Sequence, residues 1–348
     1  MKKRYNFMNV LRVLSMVAIV FYHMIFTLYI YGIRQLSSIS FFFSNANMHI
    51  AKIGVGLFFM LSGAGLMLSS SNSFDSKTFY KKRFIKILIP FYIVYICYLF
   101  FLLASRQISI SNPFGDRNVN PLSFIFTILG MDAYVDSFGI PTCSLGIGEW
   151  FLGCLIIIYL LYPFLRTAMI KNRILTMGIA TIYYVLILIC YSYIPYVNKV
   201  PMYTNLLVKI YDFILGMFLV HYIDRIPKLS VFISLVTCAA FLFIPVTLPG
   251  INSFQIPAQC VAVFIIFAAL DKYFAKAPKP MKIIEKISSI SYEYFLIHHC
   301  VILELSRQGQ NTSYSNMNIA VLFLEEIIVT ILLALVLKKV CELITKKH

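Results

Sequence analysis

The sequence predicts an all-α fold: a polytopic transmembrane helical bundle of about ten spans, with both termini cytoplasmic. Three observations predict it. Of the 348 residues, 60% are hydrophobic and 13% charged, and mean hydropathy is +0.83; soluble domains run at about 45–50% apolar and about 25% charged. Apolar runs recur that are long enough to cross a hydrocarbon core, which takes about 20 helical residues. Positive charge falls on alternate connections between those runs.

The runs lie near 9–31, 51–70, 87–105, 149–168, 174–194, 206–223, 229–248, 254–270, 288–305 and 319–337. The stretch 122–135 is apolar but short, and is read as re-entrant or interfacial. With the N-terminus inside, the cytoplasmic segments hold 23 of the 30 basic residues. They are Lys2, Lys3, Arg4 and Arg12; Lys77, Lys81, Lys82, Arg83 and Lys86; Arg166, Lys171 and Arg173; Arg225 and Lys228; Lys272, Lys276, Lys279, Lys282 and Lys286; Lys338, Lys339, Lys346 and Lys347. Positive loops stay inside, and an odd number of spans would destroy the bias.

The net charge of +16 is thus divided among short loops, and no nucleic-acid partner is expected. Residues 1–348 are read as one membrane domain with no appended soluble domain. No internal repeat is evident, which disfavours inverted-repeat transporter designs. Met1-Lys2-Lys3-Arg4 resembles the start of a signal peptide. The apolar stretch behind it is too long and lacks an A-x-A site, so it is read as a retained span. The eight cysteines form no CxxC pair and mostly sit in apolar runs, which implies neither a disulfide framework nor a metal site.

Five stretches carry candidate chemistry. Arg12 and His23 are eleven residues apart in the first span, about three helical turns, so they share a face and stand about 16 Å apart along the axis. Arg12 falls at one surface and His23 near mid-depth. An arginine can snorkel and a histidine can bond a neighbouring helix; an imidazole at that depth also suits a general base. Gly54 to Gly65 in span two sets small residues at 54, 56, 62, 63 and 65, which permits close helix approach.

Phe79 to Pro90 holds Lys81, Lys82, Arg83 and Lys86 just before span three. That is an inner-surface anchor or a site for a phosphorylated ligand, with Arg83 and Lys86 on one helical face. Glu149 and Trp150, the only tryptophan, open span four on the outer side. Ser291 to His299 contains Tyr292 and the adjacent His298 and His299. Neighbouring helical residues point about 100° apart, so one histidine of the two is expected at a site. Asp212, His221, Glu304, Glu325 and Glu326 also fall in or near spans. Pairing of Asp212 with Lys209 and of Glu304 with Arg307 is expected, each three residues apart.

In this order the five stretches resemble the acyltransferase 3 family of integral-membrane acyltransferases, over about residues 4–305. That family carries an R-x10-H in its first span, a GV-x-LFF-x-LSG second span and an R-x-x-R before its third. A WFL segment and SY-x-x-YL-x-H follow. Here Gly56 stands where Asp or Pro is frequent, and Ala64 replaces a bulky residue. Lys86 takes the place of the second arginine, Phe295 that of a tyrosine, and Glu149 precedes the tryptophan where the family varies.

The resemblance implies an O-acyltransferase of the bacterial plasma membrane. It would move an acyl group, most often acetyl, from cytoplasmic acyl-CoA to a hydroxyl of a surface glycan or its lipid-linked precursor. Acyl-CoA would be the donor substrate, with no metal, and glycan synthesis machinery a candidate partner beside membrane lipid. Lys82, Arg83 and Lys86, with Arg12, would hold CoA phosphates. His23 would act as general base or become acylated. Glu149 or His298 would orient His23 or the acceptor, and Trp150 and Tyr292 fall in the segments that would meet substrate. A carrier that exports a glycan or small molecule without acyl chemistry is the alternative, since transporters also place ionisable groups at mid-membrane. A sensor without catalysis is a third, which the intact Arg12 and His23 disfavour. The acceptor, acetyl against succinyl, and the oligomeric state are not legible in the sequence.

Overall fold

The computed structural model describes residues 5–32, 45–70, 74–114, 117–195, 197–243, 251–309 and 314–345. Lys2, Lys3, Arg4, Lys346, Lys347 and the outer end of the 229–248 run lie outside the described residues. Among the described residues every regular element is helical. In chain order, α1 spans Asn6–Ile30, α2 Asn45–Ser69 and α3 Ser76–Ala104. The short α4 (Phe124–Ile128) and α5 (Asp132–Asp136) precede α6 (Glu149–Lys171), α7 (Arg173–Cys190) and α8 (Leu206–Leu219). Then come α9 (Lys228–Phe243), α10 (Ile251–Phe274), α11 (Pro278–Ser288), α12 (Ser291–Arg307) and α13 (Asn316–Thr345).

Eight of these are long and apolar enough to cross a bilayer: α1, α2, α3, α6, α7, α8 with its following 3-10 turns, α10 and α13. The other two expected spans are shorter among the described residues. α9 has 16 residues and α12 has 17, about 24–26 Å of helix at 1.5 Å per residue, below the ~30 Å core. Large apolar side chains such as Phe100, Phe164, Ile174 and Phe232 face outward, the surface that lipid covers.

Helix α1 is the hub, packed against α2, α10, α11 and α12. No side chain of its own caps its first turn. Asp271 at the end of α10 accepts from the Phe7 N–H at 2.8 Å instead, meeting one of the orphan donors every helix start leaves. The glycines of α2 do the work expected of small residues. A Cβ on Gly63 would collide with the Phe213 carbonyl of α8, and one on Gly216 of α8 with the Met60 carbonyl of α2. The two helices therefore cross backbone to backbone.

The 122–135 stretch forms short turns rather than a span: a 3-10 turn at Pro121–Ser123, then α4 and α5 of five residues each. They are pinned to the bundle. Tyr95 Oη donates to the Cys143 carbonyl at 2.6 Å, and Tyr92 Oη donates to the Ile128 carbonyl. Tyr134 fills the space that any side chain at Gly153 of α6 would need. Asp132 is buried there, accepting from Thr127 Oγ1 at 3.1 Å and the Ala133 N–H at 2.7 Å. Burial pushes its carboxyl up to about 6, against those hydrogen bonds.

Candidate functional site

The start of α3, the end of α13 and the lower part of α1 meet at one end of the bundle. Arg12 donates to Ser288 Oγ at 3.0 Å, and Ser288 in turn to Asn9 Oδ1 at 2.9 Å. Lys338 donates to Ser289 Oγ at 2.8 Å. Arg83 lies over the Phe79 and Tyr159 rings, 5.8 and 5.7 Å from their centroids. Arg12, Arg83, Lys86 and Lys338 all line the mouth of a cavity of about 770 Å³. Among the described residues no carboxylate lies within ion-pairing distance of Arg12 or Arg83. Glu293 and Glu342 share the lining with these four cations.

The cavity continues past Ser62 and Tyr159, whose hydroxyls are 2.7 Å apart, to His23 and Glu149. Glu149 is the first residue of α6 and has φ +42, following Gly146 at φ +77 and Gly148 at φ +73. A left-handed conformation costs a non-glycine residue about 1–2 kcal/mol, and such strain collects at functional positions. Here it aims the carboxylate back across the helix start.

Two imidazoles bracket that carboxylate. His23 Nε2 lies 3.6 Å from Glu149 Oε2, and His299 Nε2 3.4 Å from Oε1. Both are contact rather than hydrogen-bond distances. The His23 ring is also 5.1 Å from that of His299 and 5.4 Å from that of His298. Of the two adjacent histidines, His299 is the one that reaches Glu149, while His298 meets only the His23 ring. His23 sits in the groove between two side chains 100° apart and touches both. His298 is fully buried, its Nδ1 2.7 Å from the Phe295 carbonyl, and its Nε2 has no partner.

His23, Glu149 and His299 also offer one ligand atom each within 4.8 Å of one another. Among the described residues this is the group that could hold a metal ion.

The residues expected from the sequence divide clearly. Arg12, His23, Arg83, Lys86, Glu149, Trp150 and Tyr292 all line the one cavity. Tyr292 spends its hydroxyl on the Ile87 carbonyl at 2.8 Å, and Trp150 stacks near Phe59 with centroids 6.5 Å apart. Lys82 is exposed and does not line it. His298 stands behind His23, outside the lining. The expected pairs are present, Lys209–Asp212 at 2.8 Å and Arg307–Glu304 at 3.8 Å. His299, Lys338, Lys52 and the Ser62–Tyr159 pair were not singled out. His299 carried a usable signal, since a residue adjacent to a candidate histidine can share its neighbour.

No curated protein and no solved structure matches the chain. The family model described as an acyltransferase domain, that of the acyltransferase 3 family, matches residues 5–338. With its bundle of long apolar helices, this is a multi-pass protein of the bacterial plasma membrane, and the chain belongs to the acyltransferase 3 family of integral-membrane O-acyltransferases.

Proposed function

We propose that this protein transfers acetyl from cytoplasmic acetyl-CoA to a hydroxyl of a surface glycan or its lipid-linked precursor, within one membrane domain of ten crossings in which α9 and α12 are the short ones. The supporting observation is the continuity of the cavity from the Arg12–Arg83–Lys86 mouth to His23 and Glu149. The cations hold the CoA phosphates by charge-assisted contacts, and the pantetheine arm follows the cavity inward.

At the far end the acceptor oxygen attacks the thioester carbonyl carbon and the C–S bond breaks. The hydroxyl proton passes to His23 and then to the departing CoA thiolate. Glu149 stabilises the imidazolium that forms, and His299 holds Glu149 from its other side. Trp150 and Tyr292 wall the path of the substrates. The donor's electrons and protons balance without a metal.

The test is acetyl transfer by His23→Ala and Arg12→Ala proteins that insert at normal levels. His23→Ala should lose roughly 10²–10⁴-fold in turnover, the usual worth of a positioned acid–base group. It should still be stabilised against heating by acetyl-CoA, as a ligand of the folded state requires; Arg12→Ala should lose much of that stabilisation. Wild-type activity in both variants ends this reading. A protein that acetyl-CoA does not stabilise at all would be a carrier instead.

A further inference from the structure

Beyond His23 the cavity opens into a chamber lined by Tyr22, Lys52, Trp150, Tyr203, Thr204 and Lys209. Its two ammonium groups are placed very differently. Lys209 is fully buried and bonded to Asp212 at 2.8 Å, so its charge is met inside the protein. Lys52 Nζ sits over the Tyr203 ring, 4.4 Å from the centroid. Among the described residues no carboxylate lies within 4.0 Å of it.

Lys52 is at the level of the chemistry. Gly54 of α2 abuts Ser15 and Ile19 of α1. Lys52 is two residues nearer the outer end of α2, and His23 lies four residues beyond Ile19 and eight beyond Ser15, so the two stand about 3–9 Å apart along the axis, within two helical turns. A cation in the wall of a membrane-embedded cavity is costly without a counter-charge. The tyrosine face offsets part of that cost, but it leaves the three donors of the ammonium free to meet an anion.

We infer that Lys52 is an acceptor-binding residue, and that the acceptor is an acidic sugar whose carboxylate or phosphate meets the Lys52 ammonium while the faces of Tyr22, Trp150 and Tyr203 receive its ring. This rests on the acyl-transfer reading above and narrows its substrate class. The donor's own phosphates are accounted for at the opposite mouth, so a second cationic station serves the second substrate. Lysine acts as a point charge, and the geometry suits carboxylate and phosphate alike.

The experiment measures thermal stability of the purified protein in detergent with saturating CoA present, so that the inner mouth is filled. The probes are methyl glucoside, methyl glucuronide and glucose 6-phosphate. The two anionic sugars, or one of them, should raise the melting temperature while the neutral glucoside does not; which one does so tells carboxylate from phosphate. Lys52→Gln should weaken the anionic sugar's half-saturation by roughly tenfold or more, the usual effect of losing a charged hydrogen-bond partner. Lys52→Arg should largely restore it, and added salt should weaken it in the wild type.

Equal shifts with neutral and anionic sugars overturn the inference, as do anionic shifts undiminished in Lys52→Gln or no shift with either anion. CoA stabilisation in the same samples is the separate check on the acyl-transfer reading. Its loss in the wild type would fail that reading whatever the sugars do, and its persistence in Lys52→Gln shows that the variant is folded.

Discussion

Replacing Glu149 with glutamine keeps the shape of the side chain and removes its charge, so it isolates what the carboxylate does for His23. At 3.6 Å a full imidazolium–carboxylate pair is worth about 5 kcal/mol at an effective dielectric of about 20. If the imidazolium carries half a charge in the transition state, roughly 2 kcal/mol of that acts on the rate. Each 1.36 kcal/mol is tenfold, so Glu149→Gln should lower turnover by roughly 50-fold at half charge and by about 2,400-fold at full charge. The assay is release of free CoA thiol from acetyl-CoA with acceptor present. Stabilisation by acetyl-CoA should be unchanged, because Glu149 is remote from the basic mouth. A Glu149→Gln protein within threefold of wild-type turnover would sink the electrostatic role. Glu149→Gly is the companion: it relieves the left-handed backbone, worth about 1 kcal/mol, so it should be as stable as the wild type while transfer is lost.

Arg83→Ala should weaken CoA affinity by roughly tenfold at low ionic strength, the deficit shrinking toward 1 M salt as the Debye length falls to about 3 Å; an affinity equal to the wild type at every salt concentration removes Arg83 from donor binding. Asp132, pushed up to about 6 by burial, binds a proton in the folded state that the unfolded chain has released, so its contribution to stability is full below about pH 4 and falls as pH rises through 6. Asp132→Asn should therefore be more stable than wild type at pH 7, by up to about 3 kcal/mol, with the gap closing near pH 4; melting curves of both at the two pH values decide it. Gly216→Ala forces a methyl against the Met60 carbonyl, which cannot rotate away, and should cost roughly 1–3 kcal/mol of stability; an unchanged melting temperature would mean that α2 and α8 are farther apart. Added zinc should inhibit by engaging His23, Glu149 and His299, a chelator should restore activity, and persistence of equal inhibition in His299→Ala would place the ion elsewhere.

What the sequence makes legible follows from periodicity and spacing. Eight of the ten spans, the shared face of Arg12 and His23, and the Lys209–Asp212 and Glu304–Arg307 pairs all depend on local helical geometry. Its limits are where neighbours come from distant segments. Lys52 reads as an ordinary basic residue near a span end, and only the approach of Tyr203 sets it in a chamber wall. Lys338 counts as an inner anchor until Ser289 brings it to the mouth. Lys82, between Lys81 and Arg83, has the right charge but the wrong helical phase, and the 100° step turns it outward. The sequence does not distinguish His299 from His298, because it indicates that the two diverge, not that α1 packs into the cleft between them.

The shortness of α4 and α5 bears on the site itself. A helix that crossed the whole bilayer would present its first residue at the outer surface, where water screens a carboxylate. Here the polypeptide precedes α6 with turns of three to five residues and begins α6 only at Glu149. That start meets His23, which is seven residues, about 10 Å, below the end of α1. A helix N-terminus, with its free N–H groups and positive dipole end, is thereby sunk to the level of the imidazoles. The left-handed run at Gly146, Gly148 and Glu149 completes the turn into the helix. The apolar stretch that is too short to span is thus the element that sets the start of α6, and Glu149 with it, beside His23 and His299, and lengthening it into a regular helix would carry Glu149 away from the two imidazoles.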